Sequence, residues 1–152
     1  MTTLVRVALA CSMLAVGCGS GSSSSDIDAS PTCANMGSAT YAGTEDVTIT
    51  SGTCSSYPGL SVTFTITQSA GSCSFELLNS RVDGITFAGQ IADHHVTWTH
   101  DPYAYGGGTL TLDSTDATLS EDLSALAGNF HWTLVRTPSN CVGVTTFDLA
   151  RQ

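Results

Sequence analysis

From residue 39 onward the chain is dominated by a period-two alternation of apolar and polar side chains. That period puts successive side chains on opposite faces of a strand, so it restricts the chain to β architectures with one buried face. The stretch "LSVTFTITQ" places Val62, Phe64 and Ile66 on one face and Thr63, Thr65 and Thr67 on the other. The same reading groups Phe75 with Leu77, Ile85 with Phe87, Gly89 and Ile91, and Val96 with Trp98. It also groups Leu110 with Leu112, Phe130 with Trp132 and Leu134, and Phe147 with Leu149. A first strand around Thr40–Thr50 carries Tyr41, Val47 and Ile49. Thr is frequent at the alternate positions, where its branched Cβ suits a pleated surface.

Turn chemistry sets the expected registers. A tight turn at Ala70-Gly71 would put Ile66 opposite Phe75 and Phe64 opposite Leu77. A two-residue turn at Asp93-His94 puts Ile91 opposite Val96 and Gly89 opposite Trp98, a small residue facing a large one. For "RVDGI" a three-residue loop, Val82-Asp83-Gly84, keeps Phe75 and Leu77 inward, with Gly84 left-handed and Phe75 opposite Ile91. "DATLSEDLSALAG" breaks the alternation. Leu119, Leu123 and Leu126 fall at i, i+4 and i+7, which predicts a helical turn or two capped by Asp116. The expectation is an all-β chain: an eight-stranded antiparallel up-and-down barrel with one short helical excursion between strands six and seven. A membrane-spanning barrel also alternates, but aromatic girdles are missing and the polar face is rich in Thr.

The domain resembles small lipocalin-like or avidin-like barrels of exported bacterial proteins, on "VTFTITQSAGS", "ITFAGQIADHHVTWT" and "CVGVTTFDLAR". The resemblance concerns strand and turn pattern, and no ligand signature of either group is present.

The first 31 residues differ in kind. Arg6 precedes an apolar run, Val7–Val16, well short of the ~20 residues of a spanning helix. Leu14-Ala15-Val16-Gly17-Cys18 resembles the lipobox of bacterial lipoproteins. That resemblance implies cleavage before Cys18, a diacylglyceryl group on its thiol and partnership with a membrane. Gly19 in place of Asp leans the expected location toward the outer membrane. "GSGSSSSDIDASP" cannot bury enough apolar surface to order itself, so it reads as a tether. The expected organisation is a signal peptide over 1–17, a Ser/Gly-rich tether over 18–31 and a barrel over 32–152.

Lysine is absent, and from Cys18 onward three arginines face thirteen acids. With no basic patch to neutralise phosphates, nucleic acid is excluded as a partner. Beyond Cys11 and Cys18 four cysteines remain, an even set that reads as two disulfides in an exported domain. In an eight-strand meander Cys33 and Cys73 fall at one end and Cys54 and Cys141 at the other. The expected bridges are therefore Cys33–Cys73 and Cys54–Cys141.

Chemistry is sparse. No metal site is expected, because His94, His95, His100 and His131 lack a ligand-set spacing. His94 is placed in a turn at positive φ, His95 and His131 outward, and His100 near a rim. "YAYGGGT" lacks the lysine and helix of a phosphate loop and reads as a turn or bulge before a strand. Its Tyr103 and Tyr105 are the best candidates for a contact loop. Asp113, Asp116, Glu121 and Asp122 do not match a calcium loop, and no G-x-S-x-G occurs. No cofactor is implied and no enzymatic activity is expected.

These features predict a lipid-anchored, non-enzymatic envelope protein with an interaction or structural role. The alternatives are a lipocalin-like ligand carrier and a periplasmic hydrolase inhibitor. The inward list is long and bulky, so a solid interior is expected, with Trp98 filling the space at Gly89 and any binding at Tyr103–Gly108. An apolar cavity above about 300 Å³, the lower range of ligand pockets, would reverse that order in favour of ligand carriage.

Overall fold

The computed structural model describes residues 32–152. The expected signal peptide, Cys18 and the expected tether lie outside the described residues.

Nine antiparallel strands follow in chain order: β1 (Ser38–Gly52), β2 (Tyr57–Gln68), β3 (Ser74–Asn79), β4 (Thr86–Ala92), β5 (His95–Thr99), β6 (Tyr103–Tyr105), β7 (Gly108–Leu119), β8 (Ala125–Val135) and β9 (Asn140–Arg151). Neighbours in sequence pair except β5 and β6, β1 also pairs with β9, and β5 pairs with β7. Those two pairings close an eight-stranded barrel, with β6 a short extra strand on the edge of β7. Closure removes the free edges that an open sheet of these strands would present.

The β5–β7 seam is short. Backbone pairing covers only His95↔Thr118 and Val96↔Ala117. Beyond it the Thr115 hydroxyl accepts the Trp98 N–H at 2.8 Å and donates to the Trp98 carbonyl at 2.6 Å. A side chain thus replaces a backbone rung. A register shift between Leu112 and Ser114 then bends the lower part of β7, as bulges do at barrel rims.

The two ends differ. One is closed by residues 32–37, which cross it ahead of β1. Cys33 bridges to Cys73 there, Met36 is 3% exposed, and the buried Gln68 ties the segment down. The Gln68 Oε1 accepts the Met36 N–H at 2.6 Å, and its Nε2 donates to the carbonyls of Ala34 and Ser72. At the other end Cys54 bridges to Cys141.

Several expectations are corrected. There is no helix among the described residues. β7 runs through Leu119, and Leu119 and Leu126 are a cross-strand pair. Between them Asp122 Oδ1 accepts bonds from the Ser124 N–H and from the hydroxyls of Ser120 and Ser124. Leu123 takes φ 58°, and its carbonyl accepts the Tyr41 hydroxyl. A leucine spacing of seven fits a hairpin as well as a helix, and this serine–aspartate turn decides between them. Asp116, expected as a helix cap, sits within β7 and its Oδ1 meets His95 Nε2 at 2.8 Å.

Two registers are displaced by two residues. Ile66 pairs with Leu77 and Phe64 with Asn79, because the loop over 69–73 is lengthened to serve Gln68 and the Cys33 bridge. Phe75 pairs with Gly89 rather than Ile91. There Asn79 ends β3, its Oδ1 taking the Arg81 N–H and its carbonyl the Val82 N–H. Gly84 is left-handed at φ 73°, but within a longer loop than three residues. A shift of two keeps every side chain on its face. In the Asp93-His94 turn the registers stand as read, while the positive φ belongs to Asp93 and not His94.

Candidate functional site

The interior is solid over only half its length. Toward the closed end Tyr41, Phe64, Ile66, Leu126 and Leu149 are at most 1% exposed. An aromatic layer caps this half. Phe64 lies edge-on to Trp98 at 6.0 Å and against Phe147 at 5.1 Å, and Trp98 meets Phe130 at 6.1 Å. Above that layer a cavity of about 350 Å³ opens toward the end carrying Cys54, Arg81 and Arg136. The expectation of a filled barrel is therefore overturned.

Two rings lie over glycines of the neighbouring strand, and one of them, Trp132, lines the cavity. Phe75 stands opposite Gly89 and Trp132 opposite Gly143 in the strand ladders. A Cβ on Gly143 would lie 2.8 Å from Trp132 Cε2, and one on Gly89 would lie 2.5 Å from Phe75 Cε1. Each ring lies flat over the glycine opposite it instead of projecting to the barrel axis, a packing that glycine in a strand permits. The space at Gly89 is taken by Phe75, not Trp98. A further consequence concerns Leu112 and Phe130, which were expected in the core. They are only partly buried, because they face the cavity. Ile85, expected there too, is partly buried in the loop ahead of β4.

The wall combines apolar surface with polar and charged groups. Val47, Ile49, Leu60, Leu112, Phe130 and Trp98 supply hydrocarbon and ring surface. Glu45 points inward from β1 and is 5% exposed. Its Oε1 meets Arg81 Nε at 3.4 Å, while its Oε2 is buried without a partner. Burial drives the Glu45 carboxyl above the ordinary range, and the Arg81 charge and hydrogen bond offset only part of that. Asn79 holds Arg81 through its turn, and the Thr145 hydroxyl accepts Trp132 Nε1–H at 3.1 Å. Arg136, at the mouth, donates to the Gly106 carbonyl and the Ser139 hydroxyl. Of the three arginines in the described residues, two thus line this opening.

The candidate loop closes one side of the mouth. It is a hairpin, β6 returning to β7 with Gly106 and Gly107 both at positive φ, the requirement of the tight turns that match strand twist. Tyr103 is 8% exposed and Tyr105 37%, and both line the cavity. Tyr103 packs edge-on against Phe87 and His100. Burial, then the neighbouring Tyr105, pushes the Tyr103 hydroxyl up to about 12. Among the described residues, no three His, Cys, Asp or Glu side chains gather closely enough to hold a metal ion.

Glu45, Arg81 and Arg136 were not singled out from the sequence. A signal existed for Glu45, which shares the parity of Tyr41, Val47 and Ile49 and so had to face inward. Arg81 and Arg136 lie in loops, where alternation carries no direction.

No protein-family model matches the chain, and no curated protein is similar to it.

Proposed function

We propose that this protein is a non-enzymatic binding barrel that takes a small, mainly apolar molecule into the cavity above Trp98. The observation that carries the reading is the one-ended cavity of about 350 Å³, within the size range of ligand pockets and lined by ring and hydrocarbon surface together with polar and charged side chains. It reverses the order of preference drawn from the sequence, in which an interaction or structural role came first. Leu112→Trp tests it by placing an indole in the cavity. The full chain should bind a neutral apolar fluorescent dye such as N-phenyl-1-naphthylamine at one site, and the variant should lose that site while keeping its melting temperature. Equal dye binding by both proteins refutes the reading.

The anchor belongs to the same proposal. A lipid on Cys18 would hold the protein at the envelope, more readily at the outer membrane. Residues 32–37 cross the closed end, so the tether would leave from there and the mouth would sit at the opposite end of the barrel. Cys18→Ser should abolish labelling with radioactive palmitate and leave the precursor uncut; unchanged labelling removes the membrane assignment.

A further inference from the structure

We infer that the cavity selects a ligand with a compact apolar or aromatic body carrying one hydrogen-bond donor, a hydroxyl or an amine, and that Glu45 is its acceptor. This rests on the binding reading above and goes further by assigning the chemistry of the inner end. Glu45 lines the cavity, is nineteen-twentieths buried, and its Oε2 has no donor. Leaving such an oxygen unpaired forfeits the solvation it has lost, and charged groups forfeit most. Two other acceptor oxygens in the wall are already taken. Asn79 Oδ1 is occupied by the Arg81 N–H, and Thr145 Oγ1 by the Trp132 indole. Arg81 takes the Oε1 side of the carboxylate, so what Glu45 itself still offers to a ligand is one acceptor oxygen.

The surroundings specify the rest of the molecule. Trp98 and Phe130 present ring surface below, and Val47, Ile49 and Leu112 close the sides. A ring or short hydrocarbon frame fills this volume, and a donor at its inner edge reaches Oε2. A ligand acid would place its charge against that of Glu45, and an ether or ester would offer an acceptor to an acceptor. A neutral hydroxyl and an ammonium share the required donor. They differ in that the ammonium adds positive charge beside Arg81.

Calorimetric titration of the full chain with four naphthalenes of matched body resolves this: 2-naphthol, 2-naphthylmethylamine, 2-methoxynaphthalene and 2-naphthoate. Hydrogen bonds to charged groups predict at least a tenfold preference for the better donor over the methoxy compound, with the carboxylate weakest. A tighter amine than naphthol assigns the donor as an ammonium, and the reverse order assigns a hydroxyl. In Glu45→Met the preference should fall to about twofold or less, with methoxynaphthalene binding retained. Should that variant not fold, Glu45→Gln, which keeps an acceptor without the charge, should lose several-fold in donor affinity alone. If methoxynaphthalene or naphthoate binds as well as both donors, and Leu112→Trp blocks them all, the acceptor role of Glu45 is wrong while the binding cavity stands. If none of the four binds, the binding reading itself fails.

Discussion

Gly143→Ala is the sharpest test of why this barrel is hollow. A methyl group there would meet the Trp132 ring, with Cε2 at 2.8 Å and Cζ2 nearer still. Ordinary carbon contacts need about 3.5 Å, so the indole must retreat by about 1 Å toward the barrel axis. That movement strains or breaks the 3.1 Å bond from Trp132 Nε1 to Thr145. Its loss with both partners buried costs about 1–3 kcal/mol, and residual crowding adds about 1 kcal/mol. Against this, alanine in a strand is favoured over glycine by roughly 0.5–1 kcal/mol. The net is a destabilisation of about 1–3 kcal/mol, and at roughly 4 °C per kcal/mol for a domain of this size the melting temperature falls by roughly 4–12 °C. Thermal unfolding followed by circular dichroism measures the fall, and the near-ultraviolet bands report the moved indole. The companion variant is Trp132→Leu, which removes the ring. In that background Gly143→Ala should cost nothing or stabilise, giving a coupling of about 1–3 kcal/mol across the cycle. A single variant that melts at or above the parent, with unchanged near-ultraviolet bands, would show that the ring is not held down by the glycine.

Three further outcomes are expected. The folded Glu45 carboxyl holds its proton more tightly than the unfolded one. Stability is therefore lost as pH rises from 4.5 through the folded value, and Glu45→Gln should gain relative to the parent between pH 4 and pH 7 in urea titrations; a pH-independent difference contradicts this. Asp122 behaves oppositely. Hydrogen bonds from Ser124 and Ser120 lower it to about 2, so its contribution is present above pH 3.8 and lost as pH falls toward 2. The gap in urea midpoint between the parent and Asp122→Ala should close over that window, and a gap that persists at pH 2 refutes the assignment. Thr115→Val removes both bonds to the Trp98 backbone and should cost about 2 kcal/mol; slow hydrogen exchange retained at the Trp98 amide would show that the seam does not depend on the hydroxyl.

Which residues face inward was legible in the sequence, because a period of two assigns every strand residue to a face without reference to its partner. The antiparallel order and the end at which each cysteine falls follow from the same count. Errors of register by two, at Phe64–Asn79 and Phe75–Gly89, left that assignment intact. A leucine spacing of seven could not separate helix from hairpin, since the hydrogen bonds of Asp122 that decide it are invisible to periodicity. The cavity was beyond reach for a different reason. Inward-facing bulk is a property of single residues, whereas the volume left over depends on ring direction. Trp132, which lines the cavity, is laid over Gly143 on the neighbouring strand, eleven positions away in the chain. The pairing of Glu45 with Arg81 likewise joins β1 to a loop 36 residues on, through a turn built by Asn79. Alternation thus determined the wall of the barrel and its polarity. The tertiary structure alone decided that half of the barrel stands open, and that the opening holds a carboxylate oxygen with no partner.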